Sequence, residues 1–255
     1  MAAEPADVSE DAILGGRLVL RQPLKGHRVG HDAVLLAAAT SVGPGDRAVE
    51  LGAGVGAAGL AVARRVDDLA VTLVEIEPTL TALARENATR NQLAERVHAL
   101  CLDVAAPPEV FVAAGLAAAA ADHVLMNPPF NAAQNPSPER GRRLAHEAAP
   151  DSLTRWAETA AWLLRPAGLV TLIWRADRLD EALAALSADF GALGILPVHP
   201  KPGAPAIRVL VRAVKASRAS LTLLPSFFLS DEAGKPTAQA EAVLREGAVL
   251  RLAAD

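Results

Sequence analysis

Residues 48–60 read Ala48-Val49-Glu50-Leu51-Gly52-Ala53-Gly54-Val55-Gly56-Ala57-Ala58-Gly59-Leu60. A short apolar strand runs into a glycine-rich turn and then into an alanine-rich helix, which the pattern extends from Ala57 to Arg65. Glycines let the backbone bend tightly and approach a ligand closely, and a helix amino terminus offers N–H groups without partners inside the helix. The stretch predicts a strand–turn–helix unit that holds a cofactor. Gly54-Val55-Gly56-Ala57-Ala58-Gly59 also satisfies the dinucleotide fingerprint of nicotinamide and flavin enzymes.

The charge beside the turn argues for another cofactor. Glu50 immediately precedes the glycines, where it would repel a pyrophosphate and attract an ammonium and a sulfonium, the charges of S-adenosyl-L-methionine. Val71–Glu75 reads as the next strand, and Glu75 at its end is placed to receive a ribose diol, which either cofactor class would offer. Glu77 is an alternative, but strand alternation turns it to the opposite face, and a helix-start acid before Pro78 accounts for it.

Further along, the apolar run Asp122–Met126 ends in Asn127-Pro128-Pro129-Phe130. Two prolines cannot continue a sheet, so the asparagine amide and a rigid carbonyl stand at the strand's carboxyl end. Together they can accept both hydrogens of a planar exocyclic amine while the ring of Phe130 stacks on the group that carries it. A proline turn with a core phenylalanine is the structural alternative.

Strand-like runs at 48–51, 71–75, 97–102 and 123–126 alternate with helical stretches, notably 79–91, which predicts a parallel doubly wound sheet. A helix over 151–164, a strand over 169–174 and a helix over 179–187 follow. Strands at 195–198 and 206–213, joined by the proline-rich segment 200–205, predict a terminal hairpin, and a small helix at about 238–245 closes the chain. The 255 residues, 51% of them hydrophobic, suit one α/β domain with additions. Residues 1–12 are expected to be a disordered acidic leader, 13–45 a cap segment and 46–255 the main domain. There is no signal-peptide pattern and no apolar span of transmembrane length. The single cysteine, Cys101, reads as a small buried hydrophobe, no Cys/His cluster has zinc-ligand spacing, and a cytoplasmic, metal-free protein is expected.

The net charge of −4 argues against indiscriminate nucleic-acid binding, yet bases are concentrated in places. Between 204 and 221, Arg208, Arg212, Lys215 and Arg218 occur without an acid, and Lys201 precedes them. They could neutralise RNA phosphates, or protect an edge strand. The segment 131–150 lacks apolar periodicity, contains Arg140, Arg142 and Arg143, and is longer than ordinary connections. It reads as a lid that supplies arginines to phosphates, with a solvated excursion as the alternative. His146 receives no catalytic role.

These motifs resemble class I S-adenosylmethionine-dependent methyltransferases of the amino-methylating kind, and within them the valine-tRNA adenine-N6 methyltransferase family. The matching residues are the turn Glu50-Leu51-Gly52-Ala53-Gly54-Val55-Gly56, Glu75, Leu102-Asp103-Val104, Asn127-Pro128-Pro129-Phe130 and an amino-terminal block over 26–37 containing Gly30, His31 and Asp32, in register over about 14–252. The family's tetrapeptide often ends in tyrosine; with Phe130, stacking survives and a phenol hydrogen bond is lost. The resemblance implies a mostly parallel seven-stranded Rossmann-like sheet with an antiparallel C-terminal hairpin, and S-adenosyl-L-methionine as cofactor. It also implies methyl transfer to an exocyclic amine, adenine N6 of a structured RNA such as tRNA. Asp103 with Val104 would receive the cofactor's adenine, unless Asp103 caps a turn. Gly30 and Asp32 would fold over its methionine end, although Asp32 is also placed to cap a helix. Alternative acceptors are a glutamine amide, ribosomal RNA guanine or DNA adenine. A nicotinamide-dependent oxidoreductase and a catalytically silent RNA-binding relative are the alternatives of another class.

Overall fold

The computed structural model describes residues 8–25, 28–129 and 152–252. It opens with an antiparallel hairpin of β1 (Val8–Ile13) and β2 (Leu18–Pro23). Residues 8–12 are therefore a paired strand rather than part of a disordered leader. Their acids find partners: Glu10 pairs with Arg90 at 3.0 Å, and Asp11 pairs with Arg28 at 2.8 Å and accepts from Gln22. The outer edge of β2 is closed by a helix instead of a strand. Asn87 accepts the Arg21 N–H (2.7 Å) and donates to its carbonyl (3.0 Å), and Asn91, one turn on, does the same for Val19 (3.0 and 2.8 Å). Two amides spaced i, i+4 thus match backbone groups spaced i, i+2, leaving no free edge there.

The main sheet contains β3 (Arg47–Leu51), β4 (Ala70–Glu75), β5 (Val97–Cys101), β6 (Ala121–Met126), β7 (Leu164–Arg175), β8 (Phe190–His199) and β9 (Arg208–Lys215). They run in the order β5-β4-β3-β6-β7-β9-β8, and two-residue strands β10 (Thr222–Leu223) and β11 (Phe227–Phe228) line β8. The first five are mutually parallel and β9 is antiparallel to both neighbours. The expected seven strands with their terminal hairpin are all present, with β10 and β11 added. Because β9 is paired on both sides, Arg208 and Arg212 do not guard an edge. Cys101 is exposed, not buried, because β5 is the terminal strand.

Helices α1 (His31–Ala39), α2 (Ala57–Arg65) and α3 (Pro78–Arg90) cover one face together with α7 (Ala238–Glu246). The shorter α4 (Pro108–Ala113), with α5 (Ser152–Leu163) and α6 (Leu179–Leu186), covers the other. Each face has its own apolar core: Leu35, Leu36, Leu60 and Leu73 belong to the first, and Val49, Val124, Trp156 and Leu172 to the second. β4 and β5 follow β3 on one side, and β6 returns to its other side, so the strand order reverses between β3 and β6. A crevice opens at the carboxyl ends of strands at such a switch point. Among the described residues, no helix is long and apolar enough to cross a membrane, and no three His, Cys, Asp or Glu side chains are grouped to hold a metal.

Candidate active site

Leu51 pairs with Val74 on one side and Met126 on the other, so β3, β4 and β6 end nearly flush. Gly52, Glu75 and Asn127 are the residues at this common rim. Alternation then sorts the side chains. Ala48, Leu73 and Leu125 belong to the core under α1 and α2, and Glu50 of β3 and Glu75 of β4 share the parity of Ala48 and Leu73, so both project to that face.

The glycine turn is bonded to itself and to β4. The Ala53 N–H donates to the Val74 carbonyl (2.9 Å) and the Gly56 N–H to the Ala53 carbonyl (2.8 Å). Glu75 accepts the Gly54 N–H at 2.7 Å on one oxygen and the Glu77 N–H at 2.9 Å on the other, which ties the turn to the start of α3. Gly52 has φ +67°, and a Cβ there would lie 2.3 Å from the Trp156 ring of α5. Gly54, at φ +57°, has open space where its Cβ would stand, so the chain there is bare toward the crevice.

Glu50 differs from the sequence expectation. The residue is 5% exposed, and its carboxyl accepts the Gly59 N–H of α2 at 2.6 Å. Burial, with the nearby Glu75 adding to it, pushes its pKa up to about 8. The group is therefore mainly protonated at neutral pH, and it braces the helix behind the turn rather than presenting a negative charge to the crevice. Glu77 is half-buried and precedes α3 at its N-cap, as its position before Pro78 suggested.

Across the rim, Asn127 follows β6, and its Oδ1 is buried without a hydrogen-bond partner among the described residues. Such an atom in a folded protein calls for an explanation, because desolvating an unpaired amide oxygen costs about 1–3 kcal/mol. Pro128 is buried and Pro129 half-buried, and neither has an N–H to offer it. Phe130, Arg140, Arg142 and Arg143 lie outside the described residues.

The remaining expected residues separate into two groups. Val104 is buried, and its carbonyl accepts the Thr159 hydroxyl at 2.8 Å, so α5 holds the 102–104 segment in place. Asp103 is exposed and accepts the Ala105 N–H at 2.8 Å, the turn-cap geometry. Gly30 is the extended N-cap residue of α1, and no side chain caps that helix. Asp32 instead pairs with Arg208 of β9 at 2.9 Å, which joins the amino-terminal block to the C-terminal hairpin. Lys201 is exposed in the hairpin loop. Two supports escaped the sequence reading: Trp156, seated on Gly52, and Asn87, which donates to the Val55 carbonyl at 3.1 Å besides holding β2. Only a buried polar position on the apolar face of α3 could have signalled Asn87.

The family described as methyltransferase small domain matches residues 28–193. A tRNA1(Val) (adenine(37)-N6)-methyltransferase of Bacteroides thetaiotaomicron is 29% identical over 190 residues, covering 72% of this chain and 75% of that protein. One of the same description from Aeromonas hydrophila is 31% identical over 189 residues, covering 72% and 75%. Among solved structures, Agrobacterium tumefaciens protein Atu636, described as a "predicted O-methyltransferase", superposes with a TM-score of 0.73 at 30% identity, covering 86% of this chain and 98% of that one. A T. thermophilus 16S rRNA N2 G1207 methyltransferase, solved with AdoMet and guanosine, shares the fold at a TM-score of 0.56 and 20% identity, covering 82% and 50%.

Proposed function

This chain belongs to the methyltransferase small domain family, and from that premise we propose that it methylates an exocyclic amine, adenine N6 of a tRNA. It is a class I S-adenosyl-L-methionine-dependent methyltransferase. The residues fit that cofactor on two observations: bare backbone at Gly54 beside a buried acid, and an unpartnered amide oxygen across the rim. Gly52, Ala53, Gly54 and Gly56 would carry its amino-acid part, with Gly30 and Asp32 above and Glu50 bracing from behind. Glu75 would take the ribose hydroxyls, and Asp103 and Val104 the adenine. When bound, the cofactor supplies an electrophilic methyl group on a sulfonium.

The acceptor side decides the chemistry. An adenine amine is a poor nucleophile because its lone pair is delocalised into the ring. Asn127 Oδ1 and the Pro128 carbonyl would each accept one amine hydrogen and turn the lone pair toward the methyl carbon. Phe130 would stack on the base, and Pro129 would keep the turn rigid. The nitrogen would form its new bond to the methyl carbon as that carbon's bond to sulfur breaks and leaves a neutral thioether; it would still carry both hydrogens at that point and then release one proton to water, so no strong base is needed beforehand.

The buried, unpartnered Asn127 Oδ1 is the observation that carries this reading, since an incoming N–H donor would satisfy it. RNA, specifically tRNA, is supported by the descriptions of the curated relatives, which name adenine 37 N6 of tRNA1(Val). Arg140, Arg142, Arg143 and Lys201 are the proposed phosphate contacts near the acceptor. Arg208 would serve there only by way of its pairing with Asp32. The test is incubation with radiolabelled cofactor and, separately, total RNA, total DNA and protein extract, with mass spectrometry of the labelled fraction. N6-methyladenosine in a tRNA is the expected product; label confined to DNA or to protein glutamine would overturn the RNA acceptor.

A further inference from the structure

β2 carries a polar side chain where its pattern calls for an apolar one. Leu18, Leu20 and Gln22 share the buried face of that strand; the two leucines belong to the first core, and Gln22 is 3% exposed. A buried amide must find partners for both its oxygen and its nitrogen, and Gln22 has one of each kind. Its Oε1 accepts the Val29 N–H at 2.8 Å, and its Nε2 donates to the Asp11 carboxylate of β1 at 2.8 Å. A carboxylate in its place would meet Asp11 with like charge, and an apolar side chain of similar length would satisfy neither group.

Val29 immediately precedes Gly30, the extended N-cap residue of α1. Arg28 ties the same segment to the hairpin, donating to Asp11 at 2.8 Å and to the Ser9 hydroxyl at 3.0 Å. Arg21, the neighbour of Gln22 in β2, is held through its main chain by Asn87, and the Asn87 Nδ2 also donates to the Val55 carbonyl at 3.1 Å. Two adjacent residues of β2 therefore reach two segments remote from each other in sequence: Val55, between Gly54 and Gly56, and Val29, before Gly30. Asn87 is fully buried and Gln22 nearly so. Hydrogen bonds that water cannot enter are strong and fix the separation of the groups they join. A site whose walls are joined before binding loses less entropy when its ligand arrives.

We propose that Gln22 is a positioning residue for the cofactor: together with Asn87 it holds, through β2, the Gly30 segment and the glycine turn at the one spacing that suits the amino-acid end of S-adenosyl-L-methionine. The inference rests on the reading above, in which those two segments take that end. Gln22 acts through the main chain it holds, so its loss has a selective signature. A loosened Gly30 segment weakens ligands that carry the amino acid and spares those that lack it, whereas damage to the fold as a whole weakens both alike.

Calorimetry would compare two ligands on the wild type, Gln22→Met and Arg28→Ala: S-adenosylhomocysteine, and 5′-methylthioadenosine, which keeps the adenosine and the thioether but has no amino acid. For Gln22→Met the expected result is roughly a three- to tenfold rise in Kd for S-adenosylhomocysteine, with less than about a twofold change for 5′-methylthioadenosine. Arg28→Ala removes a part-exposed ion pair and leaves the core untouched, so the same selectivity is expected at about two- to threefold. If Gln22→Met does not fold, the Arg28→Ala comparison decides the question. A wild type that prefers S-adenosylhomocysteine, with variants that weaken both ligands equally or neither, would overturn this inference alone. A wild type that binds 5′-methylthioadenosine as tightly as S-adenosylhomocysteine would overturn the placing of the amino-acid end, and this inference with it.

Discussion

Two turns leave the same sheet rim side by side, and they are built in opposite ways. After β3, the glycine turn uses its polar groups internally: the N–H groups of Ala53, Gly54 and Gly56 all have protein acceptors, and Glu75 is bonded through both oxygens. After β6, the proline turn has surrendered its N–H groups, and Asn127 Oδ1 is buried with no partner among the described residues. One turn is preorganised by saturation; the other holds a polar group in readiness. The difference assigns the roles. A cofactor that is always the same molecule suits a rigid cradle, whereas an acceptor amine must supply hydrogens that nothing else has claimed.

The sharpest test of that contrast is Asn127→Ala. It removes the waiting acceptor and should reduce methyl transfer by about 10²- to 10³-fold, the usual penalty for losing one positioned hydrogen-bonding group. Cofactor affinity, measured by calorimetry with S-adenosylhomocysteine, should change less than twofold, because the glycine turn does not depend on Asn127. Equal losses in both measurements would mean that the two turns act as one unit.

The converse test breaks the saturated turn. Gly52→Ala places a methyl group 2.3 Å from the Trp156 ring in backbone at φ +67°. Overpacking and the left-handed conformation together should destabilise the protein by about 2–3 kcal/mol and weaken cofactor binding at least tenfold. Trp156→Leu in the same chain should restore part of the loss by giving the methyl group room. No restoration would show that the backbone conformation, and not the ring, sets the requirement.

How much of this was legible beforehand depends on where each residue's partners lie. The Ala57–Arg65 helix, the rim strands and the order of glycine turn, acid and Asn-Pro-Pro are local patterns and read directly from the sequence. Residues 8–12 misread because the partners of Glu10 and Asp11 are distant: Arg90, Arg28 and Gln22. Cys101 misread because an apolar run does not disclose that its strand will end the sheet. Within the site, residue identities were readable and charge states were not. The carboxyl of Glu50 looks like an open charge beside the glycines, and only the close approach of Gly59 in α2 to Leu73 in β4 and to the carboxyl itself reveals it as a buried acid.

That buried acid gives the smallest effect, one that sharpens the contrast through pH. Its pKa is raised from the ordinary 4.5 to about 8, so the native state holds a proton that the unfolded chain releases between those values. Stability therefore falls as pH rises through this window, by about 1 kcal/mol per pH unit for a fully buried carboxyl. His123 works with the opposite sign: burial lowers its pKa below the ordinary 6.5, so its contribution improves as pH rises toward 6.5 and is constant above it. Between pH 6.5 and 8 the Glu50 effect stands apart. Denaturant melts of Glu50→Gln, whose amide can still accept the Gly59 N–H but cannot ionise, should lose the wild-type slope in that range and show the higher stability at pH 8. Parallel slopes for the two proteins would mean that Glu50 ionises normally, which would return its charge to the crevice and make the glycine turn the less saturated of the two.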